Sequence, residues 1–333
     1  MSERILNWGL LSTAKINRAV IAPLRSSKRN RLRAVASRST DTAEAYAKQW
    51  EIERAFGSYE ALLADPEIDV IYNSLPNHLH APWSIQALNA GKHVLCEKPL
   101  ALTVAEVDAM EAAARKSGRV LAEAFMYRHH AVTLRVNELV DGGEVGALQL
   151  IRGAFTFMLK RVGDIRLKKE TGGGSIWDVG CYPISYARMI AGAEPLEAFG
   201  WQVVGEGGAD LTFAGQLRFP NGVMAQFDSG FVSPPRSFME ITGSEGVLSV
   251  PRPFKPGPVD EVFLTKGDRM ERIEVRGGEL YAGEIEDMAD AILHGKPCRV
   301  SLADSRGNVA AILALIESAE EGSSRQLPVG SEK

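Results

Sequence analysis

The chain is poor in the features that most sharply narrow a protein's class. Its three cysteines, Cys96, Cys181 and Cys298, are odd in number and irregularly spaced. That pattern argues against a disulfide framework or a cysteine-based zinc site and points to a reduced, cytoplasmic protein. No apolar run reaches the ~18–20 residues of a membrane span. Met1-Ser2-Glu3-Arg4 leads straight into a strand-like segment, with no stretch resembling a signal peptide. A net charge of −4 is too small to imply a charged partner, and the basic face that nucleic-acid binding needs is missing. The nearest candidate, Arg25 to Arg33, reads as a solvated loop. Internal repeats and low-complexity tracts are absent too. What remains is an ordinary globular composition spread over 333 residues, more than one core usually supports, so two domains are expected.

Residues 1–124 alternate in βα fashion. Apolar runs at Ile5–Leu11, Arg33–Ser37, Asp69–Leu75, His93–Cys96 and Val120–Ala124 predict strands. Helical spacing occupies Asp41–Trp50, Pro82–Ala90 and Thr103–Ser117, the last opened by a Thr103/Glu106 capping box. Short apolar strands separated by helices predict an α/β domain with a doubly wound parallel sheet. After residue 124 the period changes. A helix near Leu134–Asp141 precedes strands near Leu148–Phe157, Leu196–Val204, Asp210–Phe219, Met224–Phe231, Ser237–Thr242, Gly246–Val250, Glu261–Thr265 and Arg272–Val275. Their period-two alternation predicts an α+β domain over 125–333. Its large, mostly antiparallel open sheet has one solvated or partner-facing side. Pro251 to Pro258 reads as an exposed loop, and Glu284–His294 and Asp304–Ala319 as closing helices.

The first strand-to-helix turn lacks the glycines of a dinucleotide-binding fingerprint. Ser12-Thr13-Ala14-Lys15-Ile16-Asn17 puts Ser, Ala and Asn at the three glycine places of G-x-G-x-x-G. The context still fits a pyrophosphate site, because a strand precedes the turn and a helix N-terminus follows it. The Cβ atoms of Ser12 and Ala14 are expected to crowd the pyrophosphate and weaken binding. An acid is also missing at the end of the second strand, where an NAD site places one for the ribose hydroxyls. Ser37 and Arg38 stand there. A hydroxyl beside a guanidinium suits a 2′-phosphate, so NADP is expected ahead of NAD.

Two stretches carry the chemistry. Glu97-Lys98-Pro99 ends an apolar run and offers a lysine where a parallel strand would stop. Asp178-Val179-Gly180-Cys181-Tyr182, behind Gly172-Gly173-Gly174, offers a carboxylate and a phenol four residues apart, one helical turn. A lysine and a tyrosine directed at one substrate make a proton-transfer pair for carbonyl–alcohol chemistry. His78 and His80 could be drawn as a metal pair, but no cysteine or acid cluster supports a metal, and none is expected.

Trp8-Gly9-Leu10-Leu11-Ser12-Thr13-Ala14-Lys15-Ile16, Leu75-Pro76-Asn77 with His80, Glu97-Lys98-Pro99, Glu123-Ala124-Phe125-Met126-Tyr127-Arg128, and the triple glycine with Asp178 to Tyr182 occur in this order. Together they resemble the Gfo/Idh/MocA oxidoreductases over essentially the whole chain. The resemblance implies a Rossmann domain followed by a substrate-binding and oligomerisation domain, and a cis Lys98–Pro99 bond. It puts Lys98 at the nicotinamide, and Ser12 through Ile16, Ser37, Arg38, Ser74, Leu75, Asn77, His80, Glu97, Arg128, Trp177 and Tyr281 around the cofactor. Each of the less committed side chains keeps a second reading. His80 either lines the cofactor pocket or caps a helix, Trp177 either walls the pocket or packs in a core, and Arg128 and Arg166 either meet an anion or line the cleft. Many members carry Asp-x-x-x-His where this chain has Asp178 and Tyr182. The tyrosine is similar to the branch of glucose–fructose oxidoreductase, NADP-dependent xylose dehydrogenases and dihydrodiol dehydrogenases, which strengthens the NADP expectation.

A free tyrosine, with a pKa of ~10, is a poor base near neutrality, and a nearby ammonium makes it a better one. Tyr182 is then expected to be the general base for oxidation and the general acid for reduction, with Asp178 orienting substrate hydroxyls. The expected activity is oxidation of an aldopyranose, of xylose or glucose type, at C1 to a lactone by a homodimer or a dimer of dimers. Alternatives are a ketoreductase of a deoxysugar nucleotide, a diol dehydrogenase, an anhydro-sugar reductase, or a non-catalytic NADP sensor. Arg161, Arg166, Lys168 and Lys169 would serve a larger, anionic substrate.

Overall fold

Each of the first five strands is followed by a helix that returns the chain to the same end of the sheet, and the result is a six-stranded, all-parallel sheet. The structure, a computed structural model, describes residues 4–161 and 163–327. Met1 to Glu3, on which the N-terminal reading leans, and the far ends of the two expected domain ranges lie outside them. The described residues form two compact units: 4–129 with 281–306, and 130–161 and 163–280 with 307–327.

In the first unit the elements run β1 (Leu6–Leu10), α1 (Asn17–Ser26), β2 (Asn30–Ala36), α2 (Thr40–Gln49), β3 (Arg54–Phe56), α3 (Tyr59–Ala64), β4 (Val70–Asn73), α4 (His80–Asn89), β5 (His93–Glu97), α5 (Val104–Ser117) and β6 (Leu121–Ala124). Sheet order is β3-β2-β1-β4-β5-β6, the doubly wound arrangement. β4 is buried at all four positions, which fits its apolar Val70-Ile71-Tyr72 run, while buried Asn73 is satisfied by His80 O and Ser84 Oγ. The order reverses between β1 and β4, so the loops after these two strands flank the crevice where such sheets take ligands. The helix Ala282–His294 also counts with this unit, and its Ile285, Met288 and Ala289 share a core with Trp8, Val70 and Tyr72. The Arg25–Arg33 cluster is paired rather than simply solvated. Arg29 bonds Glu286 and Asp290, while Arg31 and Arg33 meet Glu53.

The second unit holds α6 (Ala131–Asp141), β7 (Leu148–Met158), α7 (Cys181–Ala191), β8 (Glu197–Val204), β9 (Asp210–Arg218), β10 (Met224–Gly230), β11 (Val232–Gly243), β12 (Val247–Val250), β13 (Val259–Lys266), β14 (Arg269–Arg276) and β15 (Arg325–Gln326). Their order is β14-β13-β12-β11-β7-β10-β9-β8-β15, antiparallel except for β7 beside β10. β9 and β10 alternate buried and exposed positions along most of their length, as period-two patterning requires. The open face carries Trp201, Val203 and Met224, each more than half exposed. The loop after β12 corrects the sequence reading. Pro253, Phe254 and Pro256 are buried, because Phe254 inserts into an aromatic cluster with Phe155, Tyr182 and Tyr186.

Candidate active site

The first unit shows why a loop without glycines works at the end of β1. Ser12 Oγ and Ser74 Oγ lie 2.7 Å apart, Ser74 donates to Asn17 Oδ1 at 2.6 Å, and Asn17 Nδ2 donates back to Ser12 O at 2.6 Å. Ala14 N donates to Ser12 Oγ at 3.0 Å. This ring of side chains turns Ser12 inward and ties the loop after β1 to the loop after β4. Among described residues only Glu51 combines a side chain with positive φ, so neither Ser12 nor Ala14 needs a glycine's backbone. Thr13, Ala14 and Ile16 stay half-buried and Lys15 is exposed. α1 has no acidic residue in its first turn, which leaves its N-terminal N–H groups suited to an anion. At the end of β2, Ser37 N donates to Phe56 O at 3.0 Å, fixing the strand's exit. Arg38 is exposed, and its positive charge acts on the Tyr59 phenol. These donors fit a dinucleotide with a phosphorylated ribose.

Lys98 follows β5, and its bond to Pro99 is cis. Its backbone N–H donates to Glu97 Oε2 at 3.3 Å, while the Tyr72 hydroxyl donates to Glu97 Oε1. Burial, and then the Glu97 charge, push the Tyr72 phenol well above its ordinary range, so it remains a donor. His80 is an internal brace, with Nδ1 2.7 Å from Pro99 O and Nε2 2.8 Å from Leu75 O. It is the first residue of α4 and does not cap it. The brace links the β4 exit, with buried Ser74 and Leu75, to the lysine turn. Asn77 sits half-buried between them. Glu123 Oε1 accepts from Leu100 N at 2.8 Å on the far side of that turn. Arg128 is largely buried against Asp304, at 2.8 Å. Tyr281 precedes the helix Ala282–His294 and packs on the core around Tyr72.

In the second unit Asp178 and Tyr182 are close in sequence but do not share one regular α-helix. Ile176–Gly180 is a π-helical turn, and α7 starts only at Cys181. The widened turn is the correction to the expected single helical turn, and such turns often mark functional positions. Asp210 anchors it from β9, accepting from Ser175 Oγ and from Ile176 N at 3.1 Å. Burial raises the Asp210 pKa above the usual carboxylate range. Nothing in the sequence singled out Asp210, since only packing brings β9 to this turn. Tyr182 is 4% exposed, its ring edge-on to Phe155 at 5.4 Å and tilted to Phe254 at 5.4 Å. Asp178 Oδ2 lies 3.4 Å from Arg166 Nη1. Trp177 is buried. Among the described residues, no group of three His, Cys, Asp or Glu side chains could hold a metal, and no helix is long and apolar enough to cross a membrane.

A doubly wound parallel sheet with a helix N-terminus at its switch point, joined in one chain to a nine-stranded sheet and to a helical turn that carries an aspartate and a buried tyrosine, fits a class of two-domain oxidoreductases. Residues 6–125 match the family described as oxidoreductase family, NAD-binding Rossmann fold, and residues 133–249 match the GFO/IDH/MocA C-terminal domain. D-xylose 1-dehydrogenase (NADP(+)) 2 of Haloferax volcanii is 35% identical over 323 residues, 96% of this chain and 99% of the relative. A solved 3-ketoreductase from Actinomadura kijaniata, in complex with NADP and TDP-benzene, superposes with a TM-score of 0.90 at 30% identity, covering 95% of this chain and 98% of that one. Structures of that ketoreductase with a tyrosine-to-phenylalanine and a lysine-to-alanine change also match. An aldose–aldose oxidoreductase from Caulobacter crescentus, complexed with glycerol, gives a TM-score of 0.90 at 26% identity over 97% of this chain and all of that one. The chain belongs to the Gfo/Idh/MocA oxidoreductases.

Proposed function

We propose that the protein is an NADP-dependent dehydrogenase of free aldopyranoses of xylose or glucose size, oxidising C1 to the lactone. The observation that carries this reading is the Asp178–Tyr182 stretch, its carboxylate held by Arg166 and its phenol buried against Phe155 and Phe254. The 35% identity to an NADP-dependent xylose dehydrogenase supports it. Ser12 through Ile16 and the α1 N-terminus hold the pyrophosphate, Ser37 and Arg38 the 2′-phosphate, and Ser74, Leu75, Asn77 and Glu97 the nicotinamide side. When bound, the cofactor supplies the hydride acceptor. Tyr182 Oη takes the proton of the C1 hydroxyl as the hydride leaves. Lys98 supplies the positive charge that favours this transfer, and Asp178 accepts hydrogen bonds from neighbouring hydroxyls.

A larger, anionic substrate, as for a nucleotide-sugar ketoreductase, would draw on Arg166, Lys168 and Lys169. These already meet Asp164, Glu170 and Glu320, which favours a small neutral sugar. A cytoplasmic setting, and self-association through the exposed apolar face of the nine-stranded sheet, complete the proposal. The test is NADP and NAD reduction over a panel of aldoses, with Tyr182→Phe alongside. Rapid NADP reduction by one or two pyranoses, reduced at least about a hundredfold in the variant, is the expected result. Cofactor binding without turnover of any free sugar would sink the reading.

A further inference from the structure

The triple glycine seats a charged turn over Asp178. Asp164 opens a short 3₁₀ turn, Ile165–Leu167, and accepts from Arg166 N at 3.1 Å. The Arg166 fork grips the same carboxylate, with Nε to Oδ1 at 3.0 Å and Nη2 to Oδ2 at 3.0 Å. Its remaining arm, Nη1, lies 3.4 Å from Asp178 Oδ2, and its Cζ sits 5.5 Å from the Phe157 ring centre. The backbone of this turn lies directly on the glycines. Gly174 N donates to Arg166 O at 2.8 Å and Gly173 N to Lys168 O at 2.9 Å. A Cβ on Gly173 would fall 2.5 Å from Arg166 O, and one on Gly174 would fall 2.3 Å from Asp210 Oδ1. The glycines thus let two backbones touch where any side chain would force them apart.

We infer that Arg166 is a positioning residue for Asp178 and that Asp164 commits its guanidinium to that task. The edge so formed takes a neutral polyhydroxylated substrate and disfavours a phosphorylated one. This inference rests on the role given to Asp178 above. A guanidinium whose donors are already taken by two carboxylates has little left for a phosphate. Exposed Arg161 acts on Asp164 as a further cation, while Lys168 and Lys169 have Glu170 and Glu320 as partners. A carboxylate oriented in this way is a strong acceptor for sugar hydroxyls.

The experiment compares Arg166→Gln, Arg166→Lys and Asp164→Asn with the wild-type protein, using NADP and glucose or glucose 6-phosphate. Arg166→Gln is expected to raise KM for glucose roughly tenfold or more, with KM for NADP and the circular dichroism spectrum unchanged. Arg166→Lys recovers only part of this, because a point charge cannot bridge two carboxylates. It becomes the variant to read if Arg166→Gln does not fold. Asp164→Asn, which releases the fork, is expected to narrow the preference for glucose over its phosphate. A folded Arg166→Gln with unchanged KM for glucose overturns the inference, as does wild-type turnover of the phosphate matching that of glucose. Failure of the underlying reading shows separately: Asp178→Asn would be as active as wild type, and this inference would fall with it.

Discussion

Arg38 shows how far single residues can be read from sequence. The lack of an acid after the second strand pointed to a phosphorylated ribose, and the exposed guanidinium beside buried Ser37 fits that chemistry. Arg38→Ala is therefore expected to raise KM for NADP roughly tenfold or more and leave KM for NAD nearly unchanged. Steady-state kinetics with both cofactors check this, and an equal loss for both would contradict it. Ser12 was legible as a glycine substitute, but its inward hydrogen-bond ring was not, because Ser74 and Asn17 close it from 62 and 5 residues away. His80 was visible, but its brace between two carbonyls was not. Asp164 and Asp210 carried no signal at all. Nothing in a lone aspartate reveals that packing will set it beside the turn that carries Asp178.

At the scale of elements, strands and helices with strong periodicity were legible, including the Thr103/Glu106 capping box. Short pieces were not. β3 spans three half-buried residues and α3 only six, too few for a period to register. The π-helical turn at Ile176–Gly180 also escaped, since an inserted residue in a helix leaves no mark on hydrophobic spacing. The loop after β12 misled by composition, because its prolines suggested exposure while Phe254 supplied a core residue. The triple glycine is the element whose physical reason is clearest. Gly174 has φ +127° and no room for a Cβ, so Gly174→Ala is expected to lose about 2–4 kcal/mol of stability. Gly278→Ala, where a Cβ meets nothing within 4 Å, should change stability by less than about 0.5 kcal/mol. Urea denaturation of the two variants side by side tests the pair, and equal losses would contradict the account.

For the molecule as a whole, the βα alternation made the doubly wound sheet legible, whereas the order of the nine-stranded sheet was not. β7 pairs with β10 and β11, which are distant in sequence, and register cannot be read from alternation alone. Nor does the sequence reveal that Ala282–His294 counts with the first unit. That unit also stores a pH dependence. Burial, aided by Arg119, lowers the His93 pKa to about 4, and burial, aided by Arg299 and Arg128, lowers that of His129 to about 3. An unfolded histidine titrates near ~6.5, so between these values the unfolded chain binds more protons. Their contribution is complete above pH ~6.5 and is lost as pH falls through the folded values. Denaturation midpoints should drop steeply from pH 7 to 4.5 and drop less in His129→Gln. A flat profile over that range would contradict this.

The central claim is that a hydride leaves C1 of a neutral sugar while Tyr182 takes the hydroxyl proton. The most direct measurement is mass analysis of the reduced cofactor after turnover of a 1-deuterated aldose that the protein oxidises. The account predicts deuterium in the NADPH, a lactone as the carbohydrate product, and loss of both in Tyr182→Phe. Turnover that leaves the cofactor unlabelled, or that proceeds undiminished in the variant, would contradict it.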